Sequence, residues 1–153
     1  MKSLISSLLI IVVAIGVGYF ALSYRNEEST IAEAQVLSKG EILGLSYMRE
    51  EEKLARDVYT KLYEKWGMQI FLNIASSEQT HMDEVLAVLN KYELEDPVKS
   101  DQVGAFVDPN LAKLYQELAT RGLASIEDAL TVGALIEDLD IYDLSRYMDQ
   151  TEN

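Results

Sequence analysis

Two hydrophobic patterns divide the chain. The first has no period: "LISSLLIIVVAIGVGYFALSY", Leu4 to Tyr24, contains no charged residue. At about 1.5 Å rise per residue, ~20 such residues cross a ~30 Å hydrocarbon layer. The run exceeds the ~7–15-residue apolar region of a cleavable signal, so residues 1–24 are expected to form a transmembrane anchor. The competing expectation is a signal peptide cut near "AEA", Ala32 to Ala34, behind the charged Arg25, Glu27 and Glu28. Residues 25–38 are polar and read as a tether. The positive-inside bias, with Lys2 ahead of the span, favours a cytoplasmic N-terminus. The remaining domain, 39–153, is then membrane-anchored and extracytoplasmic, or secreted or periplasmic if the N-terminus is removed.

The second pattern has helical period. From about Lys39 to Lys65, Leu45, Tyr59 and Trp66 fall in one register, and Met48, Ala55 and Leu62 in another. Gly67 is a natural stop. A second helix is predicted from Gln69 or Ile70 to about Tyr92, with a seam of Phe71, Ile74, Glu78, His81, Val85, Val88 and Tyr92. The short turn between them makes the pair antiparallel. "ELEDPVKSDQVGAFVDP" breaks the pattern. Asp108-Pro109 then reads as an N-cap with proline at the first helical position, opening a short helix to about Thr120. Ser125 and Asp128 resemble a capping box for a last helix reaching about Met148. Its seam reads Ile126, Leu130, Gly133, Glu137, Asp140, Leu144 and Tyr147. The fold class is all-α.

Composition narrows the chemistry. A net charge of −13 argues against nucleic acid, which needs a basic footprint. The absence of cysteine excludes disulfides, thiolate metal sites and thiol catalysis. Three seams place acid where apolar residues belong: Glu52 in the register of Leu45 and Tyr59, Glu78 with His81 in the second helix, and Glu137 with Asp140 in the last. His81 is the only histidine. A buried carboxylate is paired, neutralised or metal-bound. Arg49 and Arg56 are the best available counter-charges, and each reaches one or two acids at most. Oxygen ligands with one imidazole suit iron or manganese, with zinc a further option. Each element also has a plain reading. Glu-x-x-His recurs by chance, and "REEEK" (Arg49 to Lys53) looks like an ordinary solvated face.

"MREEEKLARDVY", "SSEQTHMDEVL" and "VGALIEDLDIYDL" together resemble a prokaryotic ferritin-like family of unknown function, related in fold to rubrerythrins and ferritins. The likeness spans about Ser38 to Asn153. It implies a ferritin-like helical bundle with a crossover between its second and third core helices. It also implies metal ligation by Glu52, Glu78, His81 and Glu137, with Asp140 where rubrerythrins carry another acid. Glu78 would bridge two irons. The implied function is a non-haem di-iron oxidoreductase that oxidises ferrous iron or scavenges peroxide, with Tyr59 or Trp66 as electron relay or plain core aromatics. One departure stands out. Three core helices are present and the fourth, which normally brings a second histidine, is missing. A longer reading frame, a partner chain or a homo-oligomer would supply it, or the site has degenerated. The crossover helix could partly cover the open groove and offers only Glu117. The alternative function is a membrane-tethered helical binding or assembly module with a single-metal or degenerate site.

Overall fold

The computed structural model describes residues 37–148. The expected anchor or signal and the tether as far as residue 36 lie outside them. Among the described residues there are four α-helices and no strand: α1 (Lys39–Trp66), α2 (Gln69–Lys91), α3 (Pro109–Gly122) and α4 (Ile126–Met148). None of these is long and apolar enough to cross a membrane.

The termini follow local chemistry. Ser38 and Glu41 form a reciprocal capping box at α1, with Glu41 N donating to Ser38 Oγ at 3.2 Å and Ser38 N to Glu41 Oε2 at 2.7 Å. Gly67 ends α1 at φ 64°, a left-handed conformation that glycine adopts without a Cβ penalty. Asp108 caps α3 by accepting from Asn110 N at 2.7 Å, and Pro109 takes the first turn. Ser125 Oγ accepts from Asp128 N at 3.0 Å and donates to the Asp128 carboxylate at 2.7 Å at the head of α4.

α1 is the hub. It packs against α2, α3 and α4, and α3 packs against α4. Val58, Leu62, Phe71, Leu111, Val132 and Ile136 fill the common core. Fully burying each such side chain stabilises the fold by about 1.5–3 kcal/mol. At Gly122 an added Cβ would lie 2.5 Å from Leu62 Cδ2, so a larger residue there would require the Leu62 side chain to shift. The carbonyl there accepts from Trp66 Nε1 at 2.9 Å.

Two expectations about faces are corrected. Leu130, placed in the last seam, is 50% exposed; the buried stripe of α4 runs instead through Ala129, Val132, Gly133, Ile136 and Asp143. Apolar residues occur on both sides of α4, so periodicity alone could not choose between them. The "REEEK" face is not solvated: Arg49, Glu50, Glu51 and Lys53 are buried, as is Asp57. The crossover segment, residues 93–108, supplies partners for all of these except Glu51. Lys53 Nζ bonds Asp57 Oδ2 at 2.6 Å and Gln102 O at 2.9 Å, with its ammonium 4.6 Å from the centre of the Phe106 ring. Glu50 accepts from Val107 N and Asp108 N, at 2.5 and 2.9 Å. Asp57 also accepts from Gly104 N at 2.9 Å. A chain segment with no regular structure is thus tied down by charges that the helix buries.

Candidate metal centre

The antiparallel contact of α1 with α2 brings Glu52 to the turn that carries Glu78 and His81. His81 Nδ1 lies 2.9 Å from Glu78 Oε2 and 3.2 Å from Glu52 Oε2. Glu78 is 2% exposed, and the side chains of Glu52 and His81 are 13% and 11% exposed. One ligand atom from each of the three lies within 4.8 Å of the others. Donor atoms each about 2.1 Å from a shared ion, at right angles, stand about 3.0 Å apart. The observed separations from Nδ1 are of that size. The other ring nitrogen, Nε2, faces Ser77 Oγ at 3.4 Å, the kind of outer contact that orients a ligating imidazole.

α4 completes the acidic surroundings. Tyr59 Oη donates toward Glu137 Oε1 at 2.7 Å and lies 3.0 Å from Gly133 O. Burial raises the Glu137 pKa, the Tyr59 hydrogen bond opposes the rise, and Glu52 adds to it. Asp140 is raised well above the ordinary range, by burial first and then by the charges of Glu52, Glu51, Glu78 and Glu137. Burial, then Glu137, also pushes the Tyr59 phenol far upward. All five residues singled out in the sequence therefore face one acidic neighbourhood. Glu52, Glu78 and His81 are in direct contact, while Glu137 and Asp140 stand within electrostatic range.

Two acids were missed. Glu51 and Asp143 are buried and hydrogen-bonded to each other, and burial followed by Asp143 raises Glu51 to about 9. Tyr47 bonds to Asp143 as well. A signal existed: Asp143 follows Asp140 by one helical turn, and Glu51 follows Tyr47 by another. The expected counter-charges are engaged elsewhere. Arg49 pairs with Asp96, and Arg56 with Asp57 and Asp101. Glu117 of α3 is exposed and pairs with Lys113.

The cluster's positive charge comes mainly from His81. Burial pushes its pKa down, but hydrogen bonds and charges from Glu52 and Glu78 outweigh that and raise it to about 10. Glu52 rises to about 7, through burial, with His81 opposing and Glu78 reinforcing. A proton on Nδ1 thus holds together two carboxylates that a cation could bridge instead.

A family profile described as "Uncharacterized protein domain (DUF2202)" matches residues 41–153. "Uncharacterized protein MJ0754" of Methanocaldococcus jannaschii is 56% identical over 119 residues, which is 78% of this chain and 64% of that protein. The chain therefore spans a little under two thirds of the length of this relative. The crystal structure of hypothetical protein MJ0754 from Methanococcus jannaschii matches with a TM-score of 0.77 at 54% identity, over 82% of this chain and 71% of that one. With the profile covering about three quarters of the sequence, residues 41–153, the chain belongs to the DUF2202 family.

Proposed function

We propose that the cluster is a ferritin-like metal centre holding iron, and that the protein is a non-haem iron oxidoreductase on the extracytoplasmic face of a membrane. The supporting observation is the approach of Glu52, Glu78 and His81 ligand atoms to within 4.8 Å of one another in a nearly dry setting. The donor set fits: two carboxylates and an imidazole suit iron or manganese, with zinc a further option. Glu137 and Asp140 would hold a second cation, with Glu78 shared between the two. A further core helix, from a longer reading frame, a partner chain or a second copy, would complete the bundle.

Bound iron would supply one-electron redox chemistry, and the reaction is oxidation of ferrous substrate by dioxygen or peroxide. The chain's own residues prepare the site. His81 would give up its Nδ1 proton to serve as a ligand through that nitrogen. Tyr59 donates to Glu137 Oε1 and so fixes the carboxylate that would serve as a ligand. Val58, Tyr59 and Phe71, each 2% exposed or less, line the adjoining core and exclude water.

Ferrous iron added without oxygen and then exposed to dioxygen or peroxide tests this. A near-ultraviolet ferric absorption band should develop and be lost in Glu78→Ala and His81→Ala. No band, with stability unchanged by iron, would favour the second reading, a membrane-tethered assembly module. One observation favours that reading: Leu130, Ile141 and Met148 lie along α4 at 50%, 45% and 46% exposure.

A further inference from the structure

Arg49, Glu52 and Arg56 follow one another at i, i+3 and i+7, so they share a face of α1. Each reaches across to α2, and the contacts run in antiparallel order. Arg49 Nη1 donates to Met82 O at 3.0 Å, one residue past His81. Glu52 meets His81 and lies beside Glu78. Arg56 Nη1 donates to Gln79 Oε1 at 2.6 Å, one residue past Glu78. The Gln79 amide is itself held, donating to Asp83 Oδ1 at 2.9 Å. Two guanidinium bridges therefore stand on either side of the Glu52–His81 contact.

Both arginines are also gripped by the crossover segment. Asp96 takes Arg49 Nε and Nη2 in a two-bond fork at 3.2 and 3.0 Å. Asp101 takes Arg56 Nη1 at 2.7 Å. Asp96 is fixed in turn by Val98 N, which donates to it at 2.9 Å. A forked guanidinium with planar, fixed donors sets orientation as well as charge.

We infer that the crossover segment governs the geometry of the carboxylate–histidine site, with Arg49 and Arg56 as positioning residues that lock the Glu78–His81 turn of α2 in register with Glu52. This deepens the metal reading and rests on it for any effect on cation binding. The effect on His81 itself needs no metal. Partners that orient ligands without touching the ion typically change metal affinity about 10–100-fold when removed.

Because His81 is the only histidine, one labelled imidazole reports on the site. The full chain, purified in mild detergent with isotope-labelled histidine, is read by the Nδ1–H resonance and by cobalt(II) titration. Asp96→Asn/Asp101→Asn removes the strap's charges while keeping side-chain shape at positions 29% and 83% exposed, so folding should survive. The expected result is cobalt binding weakened roughly tenfold and a His81 resonance moved from its hydrogen-bonded position. Arg49→Gln should do the same, and Arg49→Lys, which keeps charge without the fork, should restore little. Variants that melt earlier but keep the wild-type resonance and cobalt affinity would overturn the inference. If the wild type binds no cobalt, the metal reading fails by itself. The His81 resonance in the strap variant then decides alone: displaced, it supports the positioning role; unmoved, it overturns it.

Discussion

α1 buries charge on two faces, and the two are built in opposite ways. Toward the crossover, Lys53 meets Asp57, Glu50 meets two backbone amides, and Arg49 and Arg56, at the boundary with the α2 face, meet Asp96 and Asp101. Every charge there has a fixed partner of opposite sign or a donor. Toward α2 and α4, Glu51, Glu52, Glu78, Glu137, Asp140 and Asp143 gather around the single imidazole of His81, with Arg146 at the rim 3.4 Å from Asp143. On the first face complementary charges and hydrogen bonds offset the cost of desolvation, and removing one partner would strand the other. The second raises its own carboxylate pKa values and is costly by itself. Such an arrangement is expected where a ligand is to be bound, since functional sites are where perturbed pKa values cluster.

The sharpest break of this comparison is at the paired face. Asp57→Ala strands the Lys53 ammonium, which has 0% exposure, and should cost about 3–5 kcal/mol in a denaturant titration. A loss under about 1 kcal/mol would mean that water reaches Lys53 and the pairing matters little.

Next in size is pH, which should act on the acidic face alone. His81, Glu51 and Glu52 sit at about 10, 9 and 7, all above their ordinary values of 6.5, 4.5 and 4.5. The folded state therefore holds protons that the unfolded chain releases. That stabilisation is complete below the unfolded values and is lost as pH climbs through about 7, 9 and 10. The melting temperature of the metal-free protein should fall steadily from about pH 5 to pH 10, by roughly 5 °C or more. Divalent metal affinity should rise over the same window, because ligation displaces those protons. A flat melting profile would remove the electrostatic contrast.

Asp140→Asn should act with the opposite sign to Asp57→Ala. Removing one acid from a crowd of acids should raise metal-free stability at alkaline pH, by up to about 1 kcal/mol, while weakening stabilisation by metal. Destabilisation in the absence of metal would show that Asp140 has a structural partner instead. The smallest effect belongs to a pair on neither face. Breaking Lys61–Glu64, an exposed contact at 2.7 Å, should change stability by about 0.5 kcal/mol or less in the same assay.

Much of the helical layout is legible in the sequence because its determinants are local. Ser38, Gly67, Asp108-Pro109 and Ser125 mark helix ends through bonds to neighbours a few residues away. The contact group was legible too, since Glu52, Glu78 and His81 follow helical registers and meet in the fold. What could not be read locally was the destination of "REEEK". Partners of Arg49, Glu50 and Lys53 come from Asp96 to Asp108, more than forty residues onward in sequence, and only the folded crossover places them. Leu130 misled for a different reason. α4 has apolar side chains on both sides, and packing on Tyr59 and Leu62 selects the one through Val132 and Gly133.

The most direct measurement is anomalous X-ray scattering from crystals of the protein grown with ferrous iron or manganese. The expected result is a peak about 2.0–2.3 Å from a carboxylate oxygen of Glu52, one of Glu78 and Nδ1 of His81. No peak there at millimolar metal, with His81 still hydrogen-bonded to both carboxylates, would contradict the claim that this acidic face is built for a cation.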